Sequence, residues 1–165
     1  MWTHLAFAAF LTAPLAFVPT AGAQTVGVTT GMQSLTVSGG VGLRPTRAAL
    51  GTRYGYFFTP RFEAGPSVGG GYQRFRGEGE WFGSIGGSAR YWVAPPGGGF
   101  APFVGAAADA VFITGPDNDL ALFEANAGLR SRVGRGLALT PTVFVQVTEF
   151  GDVSQGVRLG ACAFF

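Results

Sequence analysis

In eight stretches between residue 34 and residue 165 apolar side chains recur at every second position, and no charged residue falls among them. Residues 120–132 show the pattern plainly. Phe123, Ala125, Ala127 and Leu129 form one face; Glu124, Asn126, Gly128, Arg130 and Arg132 form the other. A period of two is the signature of a strand with one apolar and one polar side, and a helix cannot accommodate it.

The pattern repeats eight times. It predicts strands over residues 34–42, 50–59, 61–72, 80–93, 100–112, 120–132, 137–147 and 156–165. The connections alternate in kind. Residues 59–60, 94–99 and 133–136 form three short turns. Residues 42–49, 73–79, 113–119 and 148–154 form four polar, mostly longer loops. Three turns at one end and four loops at the other suit an eight-stranded antiparallel up-and-down barrel, with both chain ends on the turn side.

Alternation alone does not say which face meets water. A soluble barrel puts its apolar set inside and a transmembrane barrel puts it outside. Three features favour the transmembrane arrangement. The apolar sets carry no charge. The opposite sets are mostly Gly, Ser and Thr with one or two ionisable residues each, which suits a narrow lumen better than a solvated surface. Aromatic residues stand near strand ends, at Phe58, Phe62, Tyr72, Trp81, Tyr91, Phe100, Phe112, Phe123 and Phe165, where the rims of a lipid-facing band need them.

Composition agrees. The chain holds 28 Gly among 165 residues, and only 12% of residues are charged. It is too Gly-rich for an ordinary helical domain and too apolar for disorder. Past the N-terminus no run of 18 apolar residues exists, which removes spanning helices but not a closed barrel. A net charge of +2 with scattered Arg gives no footprint for nucleic acid. At the N-terminus an apolar run from Leu5 to Val18 leads to Ala21-Gly22-Ala23, which reads as a signal peptide over residues 1–23. An N-terminal membrane anchor is the alternative, though Pro14 interrupts the run. Residues 24–33 read as a flexible lead into the barrel.

The closing stretch RLGACAFF, with Leu159, Ala161, Ala163 and Phe165 on one face, resembles the last strand of bacterial outer-membrane proteins. With YFFTPRFEAGPSVG and FAPFVGAAA, the region from Ser34 to Phe165 resembles small OmpA-type barrels. The resemblance implies residence in the bacterial outer membrane, contact with its lipid, and recognition of the terminal Phe165 by the barrel-assembly machinery. Ala163 departs from that pattern, since an aromatic is usual there. A monomer is expected.

The lumen-facing ionisable residues are then Arg53, Glu63, Glu80, Arg90, Asp109, Glu124, Arg130, Arg132 and Arg158. Antiparallel pairing is expected to bring Glu63 near Arg90 and Asp109 opposite Glu124, with Arg130, Arg53 or Arg158 neutralising the carboxylates. An ion-pair plug is the expected role of this cluster; a catalytic pair or an ion path is the alternative. Catalysis lacks a base, because the single His, His4, lies in the predicted signal peptide. No cofactor or metal site is expected. Three readings remain: a structural or surface-interaction barrel with a plugged lumen, a small pore, and an exported soluble barrel that binds an apolar ligand.

Overall fold

The computed structural model describes residues 28–43, 46–75, 78–94, 96, 99–114, 120–134 and 136–165. The predicted signal peptide lies outside them. Eight strands follow one another: β1 (Gln33–Leu43), β2 (Thr46–Thr59), β3 (Phe62–Phe75), β4 (Glu78–Trp92), β5 (Phe100–Ile113), β6 (Leu120–Gly134), β7 (Leu137–Thr148) and β8 (Val153–Phe164). Each pairs antiparallel with its neighbour in sequence, and β1 pairs with β8 to close the barrel. Closure leaves no edge strand, so every ladder hydrogen bond has a partner. At the seam, Gln33 and Phe165 exchange backbone hydrogen bonds of 3.0 and 3.1 Å.

The expected faces are the observed ones. Outward residues such as Ile85, Val104, Val143 and Leu159 are each more than half exposed. Inward residues such as Glu63, Arg90, Thr140 and Gln146 are buried. The barrel therefore carries its polar side chains inside and its apolar ones outside, the arrangement suited to lipid rather than water. Two aromatic girdles bound the outer surface. Tyr56, Phe58 and Phe62 pack ring to ring at the turn end, with centroids 5.0 and 6.1 Å apart. Tyr72 and Trp81 pair at the loop end at 5.4 Å. Within the strands the one described charged side chain on the outward parity is Arg74, beyond Tyr72 toward the loops; Glu149, just past β7, continues that parity and accepts from the Ala121 N–H at 3.4 Å.

The strands run further into the loops than expected. Residues 46–49, expected in a loop, belong to β2; 73–75 extend β3, 78 and 79 extend β4, and 153–155 extend β8. Polar sequence at these positions marks strand leaving the apolar belt, not the end of pairing. The tips at 44–45, 76–77 and 115–119 lie outside the described residues. The β7–β8 connection is a tight turn: Gly151, at φ 85°, donates its N–H to the Thr148 carbonyl at 2.9 Å. Of the lead expected over 24–33, Val28 and Met32 pack against the barrel and Gln33 opens β1, while Thr29, Thr30 and Gly31 are exposed. Val28 is buried against Phe57, Trp92, Ala101 and Phe103 at the turn end, and Gly31 donates to the Phe57 carbonyl.

The glycines shape the lumen. A Cβ on Gly55 would strike the Glu63 carboxylate and the Ser34 hydroxyl, and one on Gly86 would strike Asp109. Ionisable side chains occupy the space these residues leave empty, which is why a Gly-rich strand accompanies a charged interior.

Candidate functional site: the barrel lumen

Seven residues singled out from the sequence, Arg53, Glu63, Arg90, Asp109, Glu124, Arg130 and Arg158, all sit on inward positions of their strands. They form two groups: Arg53, Glu63, Arg90 and Arg130, from β2, β3, β4 and the turn-side half of β6, gather toward the turn end, while Asp109, Glu124 and Arg158, from β5, the loop-side half of β6 and β8, stand nearer the loops.

The turn-end group is built on Glu63, whose side chain is wholly buried. Its carboxylate accepts hydrogen bonds from the Ser34 hydroxyl at 2.5 Å and the Trp92 indole N–H at 3.2 Å. Its ion-pair partner is Arg130, at 3.8 Å. The expected partner, Arg90, is its register neighbour on β4 but turns away to lie over the Phe103 ring at 4.7 Å. Arg130 is held between two rings, 4.1 Å from the Trp92 centroid and 4.6 Å from that of Phe164. Phe57, Trp92, Phe103 and Val28 form an apolar layer across this end, with Met32 and Phe164 packed on it. Stacked cation–π contacts of this kind strengthen when the cation is desolvated.

The second group is built on Glu124. Arg158 donates to it from both terminal nitrogens, at 3.1 and 2.8 Å, a bidentate fork. Asn126 and Gln146 amides donate at 2.9 and 2.8 Å. The Gln146 carbonyl then accepts from Arg47 at 3.3 Å, and Arg47 lies 3.8 Å from the Phe82 centroid. Asp109 does not stand opposite Glu124. Its register partner is Leu122, while Ala107 faces Glu124, and Asp109 accepts from Ser67 at 2.8 Å. The shift is two residues. An even shift keeps every side chain on its own face, so the period-two pattern cannot detect it.

Several contributors lay outside the sequence-derived set: Arg47 fell in a segment expected to be loop, and Phe57, Phe82, Trp92 and Phe164 were not placed. The signal was present. Counting back from Arg53 by twos reaches Arg47 and forward by twos reaches Phe57; Arg90 leads likewise to Trp92. Between the two groups lies a cavity of about 110 Å³, lined by Thr36, Ser38, Arg53, Arg90, Asp109 and Glu124, among others. Among the described residues no cluster of His, Cys, Asp and Glu has the makings of a metal site. Cys162 is buried.

A closed eight-stranded antiparallel barrel with a lipid-suited exterior and a charged, side-chain-filled interior is the class these features define. No protein-family model matches the sequence, and no curated protein matches it. Solved structures do share the fold. The N-terminal β-barrel domain of OprF from Pseudomonas aeruginosa superposes with a TM-score of 0.65 at 18% identity, over 84% of this chain and 100% of that one. Neisserial surface protein A gives 0.56 at 13% identity, over 87% and 99%. The outer membrane protein Ail of Yersinia pestis gives 0.55 at 11% identity, over 82% and 99%. At these identities the likeness is one of fold.

Proposed function

We propose that this chain is a non-enzymatic barrel of the bacterial outer membrane, serving a structural or surface-interaction role, monomeric and closed to ions. The barrel architecture shared with OprF, NspA and Ail supports the location, as does the uncharged belt between the aromatic girdles. The observation that carries the closed lumen is the turn-end layer. Phe57 and Trp92 have no exposed surface and Phe103 almost none, and Glu63 behind them is fully buried. Eight strands enclose an interior that side chains alone can fill. The contacts that remain for partners are lipid along the belt, the assembly machinery at Phe165, and whatever meets the loop end.

Two measurements test the reading. Outer-membrane fractionation with faster migration of the unboiled protein on a gel supports a lipid-embedded barrel; a soluble protein without that shift overturns it. Purified barrel in a planar bilayer is expected to give no discrete single-channel steps. Regular steps in the unaltered protein would establish the small-pore reading instead.

A further inference from the structure

The buried layer at the turn end has one member that is not on a barrel strand. Phe57, Trp92, Ala101 and Phe103 lie on β2, β4 and β5, strands laddered on both sides; Val28 comes from the lead before β1. A layer across a barrel mouth meets the lumen on one side and solvent on the other. Phe57 and Trp92 nonetheless have no exposed surface, so their mouth side is covered. The lead joins β1 at its turn-side end, and Val28 and Met32 pack on the layer from there.

The attachment of this lead is slight. It first extends the β1–β2 ladder: Phe57 donates its N–H to the Met32 carbonyl at 2.9 Å, and Gly31 donates to the Phe57 carbonyl at 2.8 Å. It then reverses. Met32 donates to the Thr29 carbonyl at 3.2 Å, with Gly31 at φ 87° in the third place of the turn, where a left-handed backbone favours glycine. The reversal carries Val28 back into the mouth, while Thr29, Thr30 and Gly31 stay exposed. Among the described residues no hydrogen bond holds Val28 itself, and its side chain alone seats it. Val28 is therefore the part of the layer that can leave without breaking a ladder.

We propose that the lead is a reversible cap on the turn-side mouth. Val28 swings out about the Thr29–Met32 turn and admits water to Trp92, and through it to the Glu63–Arg130 pair that Trp92 bonds and stacks upon. The turn side is the periplasmic side in barrels of this kind. Resting on the reading of the lumen as closed, the cap makes that closure depend on one residue outside the barrel wall. Segments held by few buried apolar contacts open locally, far more often than the whole fold unfolds. Burial of a single valine corresponds to roughly one open molecule in ten to one in 150. Opening of the barrel wall itself is far rarer, because it breaks paired strands.

The test uses the full refolded barrel in lipid vesicles, with Cys162→Ser removing the one native thiol. Single cysteines replace Val28, the exposed Thr30, and Thr140, which is buried on β7. A charged methanethiosulfonate reads their rates of modification, and the unboiled gel shift confirms that each folds. Val28→Cys is expected to react roughly 10- to 150-fold slower than Thr30→Cys, yet well ahead of Thr140→Cys. A second probe is acrylamide quenching of Trp92, with Trp81→Phe leaving it the one tryptophan past the predicted signal peptide. Adding Val28→Asp is expected to raise that quenching severalfold. Val28→Cys reacting no faster than Thr140→Cys makes residue 28 a fixed part of the wall; reacting as fast as Thr30→Cys, it covers nothing. Either result overturns the cap, as does quenching unchanged by Val28→Asp. Should Val28→Asp fail to fold, the cysteine series decides. Modification rates need no current, so they judge the cap separately from single-channel steps in the unaltered protein, which would refute the closed lumen.

Discussion

Replacing Arg158 by Met strands Glu124. The Glu124 side chain is 3% exposed and Arg158 supplies two of its four hydrogen bonds; the Arg158 side chain itself is 26% exposed. Arg47 cannot simply replace it, because it is held by the Gln146 carbonyl and the face of Phe82. Breaking a buried pair by removing one partner costs about 3–5 kcal/mol, chiefly from the charge left behind. Partial exposure of Arg158 puts the expected loss at the low end, about 3 kcal/mol, or roughly a hundredfold in the folding equilibrium. Adding Glu124→Gln removes the stranded charge while keeping its shape, so the double variant should recover about 2 kcal/mol of that loss. The assay is urea unfolding of the barrel in lipid vesicles, followed by tryptophan fluorescence for both single variants and the double. A loss below about 1 kcal/mol for Arg158→Met, or a double variant no more stable than Arg158→Met alone, would refute the view that a desolvated ion pair organises the upper lumen.

Trp92→Ala removes the ring beneath Arg130 and the indole donor to Glu63; it should cost about 3–5 kcal/mol and introduce conductance steps in planar bilayers where the unaltered barrel shows none. Ile85, more than half exposed at the middle of β4, faces the centre of the belt; Ile85→Arg should destabilise the barrel in vesicles by about 2–4 kcal/mol, whereas a water-facing position would tolerate it. Gly55→Val should disrupt the turn-end group, because its side chain enters the space of Glu63 and Ser34; refolding yield judged by the unboiled gel shift reads this directly. Phe165→Ser, at a partly exposed position on the seam, should slow assembly into the outer membrane in cells while leaving the urea midpoint of refolded protein nearly unchanged; comparing the two separates recognition of the terminal ring from stability.

Much of this was legible in the chain because a strand reports its two faces locally. The parity of Phe123 against Glu124, or of Leu159 against Arg158, follows from the pleat and needs no knowledge of neighbours. The number of strands, the alternation of turns and loops, the aromatic rims and the inward set of ionisable residues come from the same local rule. The strand ends were read short at the loop side, where polar residues in continued strand look like the start of a loop. What parity cannot carry is register and distance across the barrel. Asp109 slid two places to Leu122 without changing face. Glu63 found Arg130 across the lumen rather than Arg90 beside it, because the Phe103 and Trp92 rings decide where each guanidinium lies. The apolar layer at the turn end, the fork of Arg158 on Glu124 and the pairing of Arg130 with Glu63 exist only once β8 closes on β1 and brings side chains distant in sequence into one narrow interior.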